Sequence, residues 1–420
     1  MRRPAEQANP GLLAVLAATG VAGASGYLIQ LLAARVLVGP HDYLSFSVFW
    51  STIYLIGSAV GGMQQEVARA TRPLPTGQVP GDESRTLRGF TVVGALNVLT
   101  ISLVVGFLVA PTAFAGSSVG MAVALAVGLV GYVATSVVTG LFYGMGRLGS
   151  VATLIIVDAT LRALAVVTAF AFGAPPDVVA FAVAAPFGLA VAIVWRIARA
   201  RIVGAYTLDV PPRALARGAL HTVAAAAATG VMVTGMPLLF RVSLTDATLS
   251  TVAGLVLVVT LTRAPFIIPL MALQSFLTVS YRDDPSRVRS RMWRYLLGAA
   301  AVAVVASVVA WSAVPGIIHA LSNGAYIVSS ATSAMVVFSA VLVGCLCITG
   351  PALLSRGDHR AYSAGWVMAA AVTVVALFFS PGGPEARALV ALILAPVAGL
   401  VVHAVAALRG PGPASAASRE

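Results

Sequence analysis

The sequence predicts an all-α polytopic membrane protein: about twelve transmembrane helices in two six-helix halves, with both termini in the cytoplasm. Three observations carry this reading. Hydrophobic residues make up 59% of the 420 and charged residues only 10%, with a mean hydropathy of +0.96. A soluble domain carries about 25% charged residues. Apolar runs recur from end to end and leave no polar stretch sized for a separate soluble domain. The basic side chains are all arginine, and they gather at alternate ends of those runs.

The first run follows Arg2 and Arg3 and imitates a signal peptide. It continues to about Val38, well past the roughly 7–15 apolar residues of a signal sequence, so it reads as an uncleaved first span. A hydrocarbon core needs about 20 apolar residues per helix. On that length the spans fall near 11–38, 43–68, 89–110, 117–142, 148–171, 176–198, 218–240, 247–277, 293–313, 325–352, 360–379 and 386–408. With the N-terminus inside, 21 of the arginines fall on the cytoplasmic side, and only Arg35, Arg241 and Arg387 mark outside ends. A missed or added span would scramble this asymmetry. The outside loops are short and nearly uncharged, whereas the longest connections, 70–88, 199–217 and 281–292, lie inside.

A net charge of +12 in a soluble chain would suggest nucleic acid. Here the arginines sit at span ends, so topology accounts for them, and no nucleic-acid partner is expected. Cys345 and Cys347 lie in one apolar run at a spacing that points them to different helix faces, so neither a disulfide nor a metal pair is expected. The five His are scattered without metal-ligand spacing. No phosphate-binding loop, nucleophile elbow or paired-carboxylate loop is present, so no cofactor is expected and the chain is not read as an enzyme.

The loop at the chain centre holds Pro211-Pro212 and four arginines. It divides the chain into an N-terminal six-helix lobe (1–198), a cytoplasmic linker (199–217), a C-terminal six-helix lobe (218–408) and a disordered cytoplasmic tail (409–420). The halves echo each other. Ala18-Thr19-Gly20-Val21 recurs as Ala228-Thr229-Gly230-Val231, each in a span that ends on an outside arginine, Arg35 or Arg241. Transporters are often built from such repeats. Gly, Ala, Ser and Thr fill the spans and allow close helix approach. Pro186, Pro237, Pro265, Pro269, Pro351 and Pro396 fall inside spans, each removing a backbone hydrogen bond. They read either as tolerated kinks or, for Pro237 and the Pro265/Pro269 pair, as bends that face a cavity.

Three stretches resemble a known family. Arg35-Val36-Leu37-Val38-Gly39-Pro40-His41-Asp42-Tyr43, with Phe46 and Ser47, resembles the R-x-L-G-P-x-E/D-Y-G-x-F signature after the first span of polysaccharide and oligosaccharide-lipid flippases. These form the Wzx-like branch of the multidrug/oligosaccharidyl-lipid/polysaccharide (MOP) exporter superfamily. Here Leu44 replaces the usual Gly, and Val38 is an extra residue. Gly140-Leu141-Phe142-Tyr143-Gly144-Met145-Gly146-Arg147 is similar to the G-x-x-x-G-x-G-R turn between the fourth and fifth spans. Leu261-Thr262-Arg263-Ala264-Pro265, with Gln274, is similar to the L-x-R-x-P…Q pattern of the eighth. The resemblance implies two six-helix lobes around a central cavity, alternating access, and a polyprenyl-diphosphate-linked glycan or related envelope precursor moved from the inner to the outer leaflet. It further implies a bacterial cell membrane, membrane lipids around the chain, and a glycan polymerase or glycosyltransferases as partners. Peptidoglycan-precursor flippases carry several arginines in the first two spans' cavity face. This chain's first span is apolar up to Arg35, which argues against that cargo.

Arg263 lies about sixteen residues into a span of about thirty, near the bilayer midplane. A charge there costs roughly 2.5–3.5 kcal/mol on insertion scales and should face the bundle interior or water. It reads as a clamp for a lipid diphosphate, since its planar fork donates in pairs, or as one half of an interhelical ion pair. Asp158 and Arg162 sit one turn apart. They are either a self-neutralising lock or, with Arg162 in the substrate path, a proton or Na⁺ coupling site at Asp158. Gln30, Asn97 and Gln274 are mid-span amides, suited to interhelical hydrogen bonds or to sugar recognition. Gln65, Glu66 and Arg69 close the second span as an interfacial pair or as the rim of a cytoplasmic entrance. Three other functions compete with the flippase: a multidrug or cation antiporter of the same fold, which would want a carboxylate pocket; an integral-membrane glycan polymerase or ligase, which would want a sizeable outside loop; and a non-transporting envelope scaffold.

Overall fold

The computed structural model describes residues 10–37, 39–75, 81–108, 118–283, 285–356 and 358–409. The tail expected to be disordered lies, beyond Arg409, outside the described residues. Thirteen α-helices run through the described chain: α1 (Pro10–Val36), α2 (Pro40–Ala70), α3 (Glu83–Leu108), α4 (Ser118–Gly144), α5 (Leu148–Ala171), α6 (Pro176–Ala198), α7 (Pro212–Val233), α8 (Met236–Ser243), α9 (Leu249–Asp283), α10 (Val288–Leu321), α11 (Ser330–Leu354), α12 (His359–Phe379) and α13 (Pro384–Arg409). Ten of these helices are individually long and apolar enough to cross a membrane, and eleven spans result if α7 and α8 count as one. The helix α9 (Leu249–Asp283) occupies the remaining expected position. The chain is an all-α polytopic membrane protein.

One expected span differs in shape. Residues 218–240 do not form a straight helix: α7 and α8 meet at a 72° bend. The amides of Thr234 and Gly235 both turn back to the carbonyl of Gly230, at 2.8 and 3.0 Å, which ends α7. Pro237 stands in the first turn of α8, where its missing N–H leaves nothing unsatisfied. Among the interior prolines, this one marks a true break. Pro265 and Pro269 lie within the continuous helix α9, and their side chains are outside the described residues.

Contacts group the chain into two compact units that do not follow the chain halves. One comprises the described residues of Met1–Gln30 and Phe49–Ala227, the other those of Leu31–Val48 and Ala228–Glu420. In the second unit the α1–α2 turn lies on the loop after α10. The Arg35 guanidinium donates to the Ala320 carbonyl at 3.1 Å, and the Tyr43 and Tyr326 rings sit 5.9 Å apart. Burial pushes the Tyr326 phenol up to about 12, and the nearby Asp42 carboxylate adds to the shift. In the first unit the start of α7 lies on the end of α2, where Thr222 donates to the Gly62 carbonyl at 2.8 Å.

The 199–217 segment, expected as a linker, is a built connection. A 3₁₀ turn (Arg199–Arg201) leads to β2 (Tyr206–Leu208), which pairs antiparallel with β1 (Thr71–Pro73), Arg72 opposite Thr207. An Arg72–Asp209 ion pair at 2.9 Å closes the ribbon.

Within the units the helices pack in matching order. In the first, α3 packs on α4, α4 on α6 and α5 on α6. In the second, α10 packs on α11, α11 on α13 and α12 on α13. Counted by span, these are pairs 3–4, 4–6 and 5–6, then 9–10, 10–12 and 11–12. The same scheme occurs twice, and in the second unit α9 also packs on α11. Lipid tails are as apolar as leucine, so this packing relies on close fit. A side chain at Gly131 of α4 would meet the Gly188 amide of α6 at 2.6 Å.

Candidate functional site

The second unit holds the buried cation that the sequence singles out. Arg263 is 3% exposed, and none of its three guanidinium nitrogens has a hydrogen-bond partner among the described residues. Val259 one turn earlier and Ile267 one turn later share its helix face, and both are buried. Val259 belongs to an apolar cluster with Val336 and Val337 of α11, and Ile267 to another with Val343, Leu346 and Trp366. The guanidinium is therefore set on the stripe of α9 that joins two apolar clusters. Its neighbour Thr262 is satisfied within the helix, donating to the Val258 carbonyl at 2.7 Å. A buried cation without a partner is costly, and an anion arriving from outside the chain would relieve that cost.

The first unit holds a contrasting arginine. Arg162 of α5 is equally buried but fully engaged. One terminal nitrogen reaches both Asp158 carboxylate oxygens, at 2.5 and 2.6 Å, and the other donates to the Val183 carbonyl of α6. Val183 lies within one turn of Pro186, whose missing amide leaves the adjacent Ala182 carbonyl without its helical donor. The guanidinium carbon stands 3.8 Å above the Phe187 ring, a cation–π distance, with Tyr54 at 5.9 Å. Tyr132 meets Phe187 edge-on at 4.7 Å. Asp158 keeps 21% of its side chain exposed. This geometry is that of a lock between α5 and α6; the open flank of Asp158 is its one accessible part.

The remaining candidates scatter. Gln30 of α1 is 8% exposed, and its Oε1 has no partner among the described residues. Asn97 lies on the exposed face of α3. The side chain of Gln274 lies outside the described residues. Glu66 is 2% exposed and held by Arg69 through two hydrogen bonds, at 2.9 and 2.5 Å, while Gln65 is exposed. A Cβ added at Gly218 of α7 would collide with the Glu66 carboxylate, so that pair is packed under α7.

The three motifs behave differently. The Gly140–Arg147 stretch is architectural: Gly146, at φ +69°, closes α4 as the Arg147 and Gly146 amides bond the Phe142 and Tyr143 carbonyls at 2.8 and 2.9 Å. The Arg35–Tyr43 stretch is the turn seated in the second unit. The third motif presents a buried cation with no hydrogen-bond partner among the described residues. Sequence reasoning missed the aromatic seat of Arg162 and His403 of α13. The latter is 1% exposed, with its ring nitrogens 2.9 Å from Thr349 Oγ1 and 3.3 Å from the Tyr362 carbonyl. Neither carries a local sequence signal, because their partners stand on other helices.

The architecture is shared with solved membrane transporters. The lipid II flippase MurJ in an inward closed conformation superposes with a TM-score of 0.68 at 10% identity, over 94% of this chain and 87% of that one. An inward-facing multidrug resistance MATE family transporter of the MOP superfamily gives 0.63 at 13% identity, over 91% and 93%. A MOP superfamily transporter from Pyrococcus furiosus, described by the reverse polarity of its binding pocket, gives 0.61 at 11% identity, over 94% and 95%. The chain therefore has the fold of MOP-type transporters. By sequence it belongs to the family of the uncharacterized protein Rv3630 of Mycobacterium tuberculosis, with 32% identity over 403 residues, 93% of this chain and 90% of the relative. The uncharacterized protein Rv1510 of the same organism is 28% identical over 400 residues, 94% and 91% of the two chains. No family model matches the sequence.

Proposed function

We propose that this chain is an alternating-access transporter in a bacterial cell membrane that flips a polyprenyl-diphosphate-linked oligosaccharide, or a related envelope precursor, from the inner to the outer leaflet. The observation that carries this is Arg263, buried in a membrane span with no partner among the described residues. A diphosphate is the lipid-borne group that a guanidinium fork matches best. The fold shared with a lipid II flippase supports a lipid-linked cargo. Asp158, with its exposed flank, is the proposed coupling site.

The test is mass spectrometry of lipid-linked sugars, with the leaflet of each pool assigned, in cells depleted of the protein. The expected result is a polyprenyl-linked glycan on the cytoplasmic leaflet. Complementation with Arg263→Ala at matched expression should leave that pool in place, and Arg263→Lys should clear it only in part. Full export by both variants would sink the clamp. In the same assay Asp158→Asn should alter the dependence of export on the ion gradient; an unchanged dependence would leave the pair a lock and nothing more.

A further inference from the structure

Each unit carries a groove at its arginine-rich end, built from the same three spans. In the first unit Leu87, Arg88 and Thr91 of α3, Leu141 of α4 and Trp195 of α6 line a cavity of about 400 Å³. In the second, Met292, Trp293 and Leu296 of α10, Thr349 of α11, Arg356 in the turn after α11, and Ala404 of α13 line one of about 270 Å³. By span these are 3, 4 and 6, then 9, 10 and 12. The α3 and α10 residues stand at the same offsets, four, five and eight places after Glu83 and Val288, the first residues of their helices. The body of each groove is aliphatic. One arginine lines each, and a tryptophan accompanies it: Arg88 with Trp195, Arg356 with Trp293. Both arginines are exposed. Arg356 donates to the Ala407 carbonyl at 3.5 Å, which holds it over the end of α13. The nitrogens of His403 are occupied by Thr349 and Tyr362, so it closes the floor of the second groove and offers nothing to a ligand. Among the described residues, no carboxylate lines either groove.

We infer that these two grooves are paired binding sites for an anionic phospholipid of the leaflet at the arginine-rich face, one in each repeat. An acyl chain fills the aliphatic body, the headgroup phosphate rests on Arg88 or Arg356, and the indole sits at headgroup level. Tryptophan favours that level, and basic pockets between spans on the cytoplasmic side select acidic headgroups. A lining with arginine and no acid favours a net negative headgroup over a zwitterionic one, whose ammonium would lack a counter-charge. The duplication supports this: two grooves between equivalent spans each bring one arginine and one tryptophan to an aliphatic cavity, from different positions, Arg88 with Trp195 and Arg356 with Trp293. The inference is independent of what the chain transports.

The test is native mass spectrometry of the purified full-length protein with added phosphatidylglycerol or phosphatidylcholine of the same chain length. The wild type is expected to retain two phosphatidylglycerol molecules and to bind phosphatidylcholine about fivefold more weakly, the effect of one arginine near a membrane surface. Arg88→Gln and Arg356→Gln should each remove one retained lipid, and the double variant both. Thr91→Trp and Ala404→Trp, which fill the groove bodies and keep the arginines, should do the same with an unchanged gel-filtration profile. Equal retention of phosphatidylcholine overturns the inference. So does undiminished retention of phosphatidylglycerol by the double arginine variant or by the tryptophan pair.

Discussion

Arg162 and Arg263 are two buried cations of one protein with opposite surroundings, and their removal should have opposite effects. Arg162 has a carboxylate, a carbonyl and an aromatic face. Taking one partner from a buried pair costs about 3–5 kcal/mol. The Arg162→Met variant is therefore expected to unfold at a lower temperature in detergent, with Asp158 left uncompensated. Arg263→Met removes a charge whose placement costs roughly 2.5–3.5 kcal/mol. The same melting experiment should show no loss of stability, or a gain, together with lost export. If Arg263→Met melts as early as Arg162→Met, then Arg263 has a structural partner and is not waiting for a ligand. The two positions were legible in the sequence because a charge in an apolar run stands out. Their surroundings were not: Val183 and Phe187 lie on another helix, and nothing in a one-turn Asp–Arg spacing announces them.

The limits of most helices were readable from apolar run length alone, and α5 and α6 fall where the runs predict. The exceptions have local causes. The seventh span breaks because two amides converge on Gly230 and Pro237 then restarts the helix, a combination that hydropathy averages away. The β1–β2 ribbon escaped notice because its strands are three residues each and even their nearest pair, Pro73 and Tyr206, stands 133 positions apart. Helix-to-helix fit is the other illegible quantity. Gly131 and Gly149 look alike in sequence, yet a side chain at Gly131 would strike the α6 backbone and one at Gly149 meets open space. Overpacking of this kind costs about 1–3 kcal/mol. Gly131→Leu should lower the melting temperature, and Gly149→Leu should leave it within error; equal effects would show that α4 and α6 are not in the described contact.

For the whole molecule, the arginine asymmetry assigns a side to every loop, and single cysteines placed in a background lacking Cys345 and Cys347 can check it. A cysteine at Asp209, beside the ribbon, should react with an impermeant thiol reagent only after the membrane is opened. One at Asn323, in the loop after α10, should react in intact cells. The reverse pattern would overturn the orientation with both termini inside. The recurrence of long apolar helices was legible because membrane insertion is governed by hydropathy. The grouping into units was not, since it depends on which helix ends touch rather than on which spans are neighbours in the chain.

The seating of the α1–α2 turn has a further consequence, for synthesis. Arg35 finds its carbonyl 285 residues later, at Ala320, and Tyr43 is sealed by Tyr326. The first helical hairpin to leave the ribosome must therefore wait, its Tyr43 uncovered, until just over three quarters of the polypeptide has been made. A nascent chain halted before α10 would leave Tyr43 uncovered, a side chain that the full-length protein buries completely. Maturation of this fold is thus a late clasp across the whole length of the chain, and the two repeats are not finished one after the other.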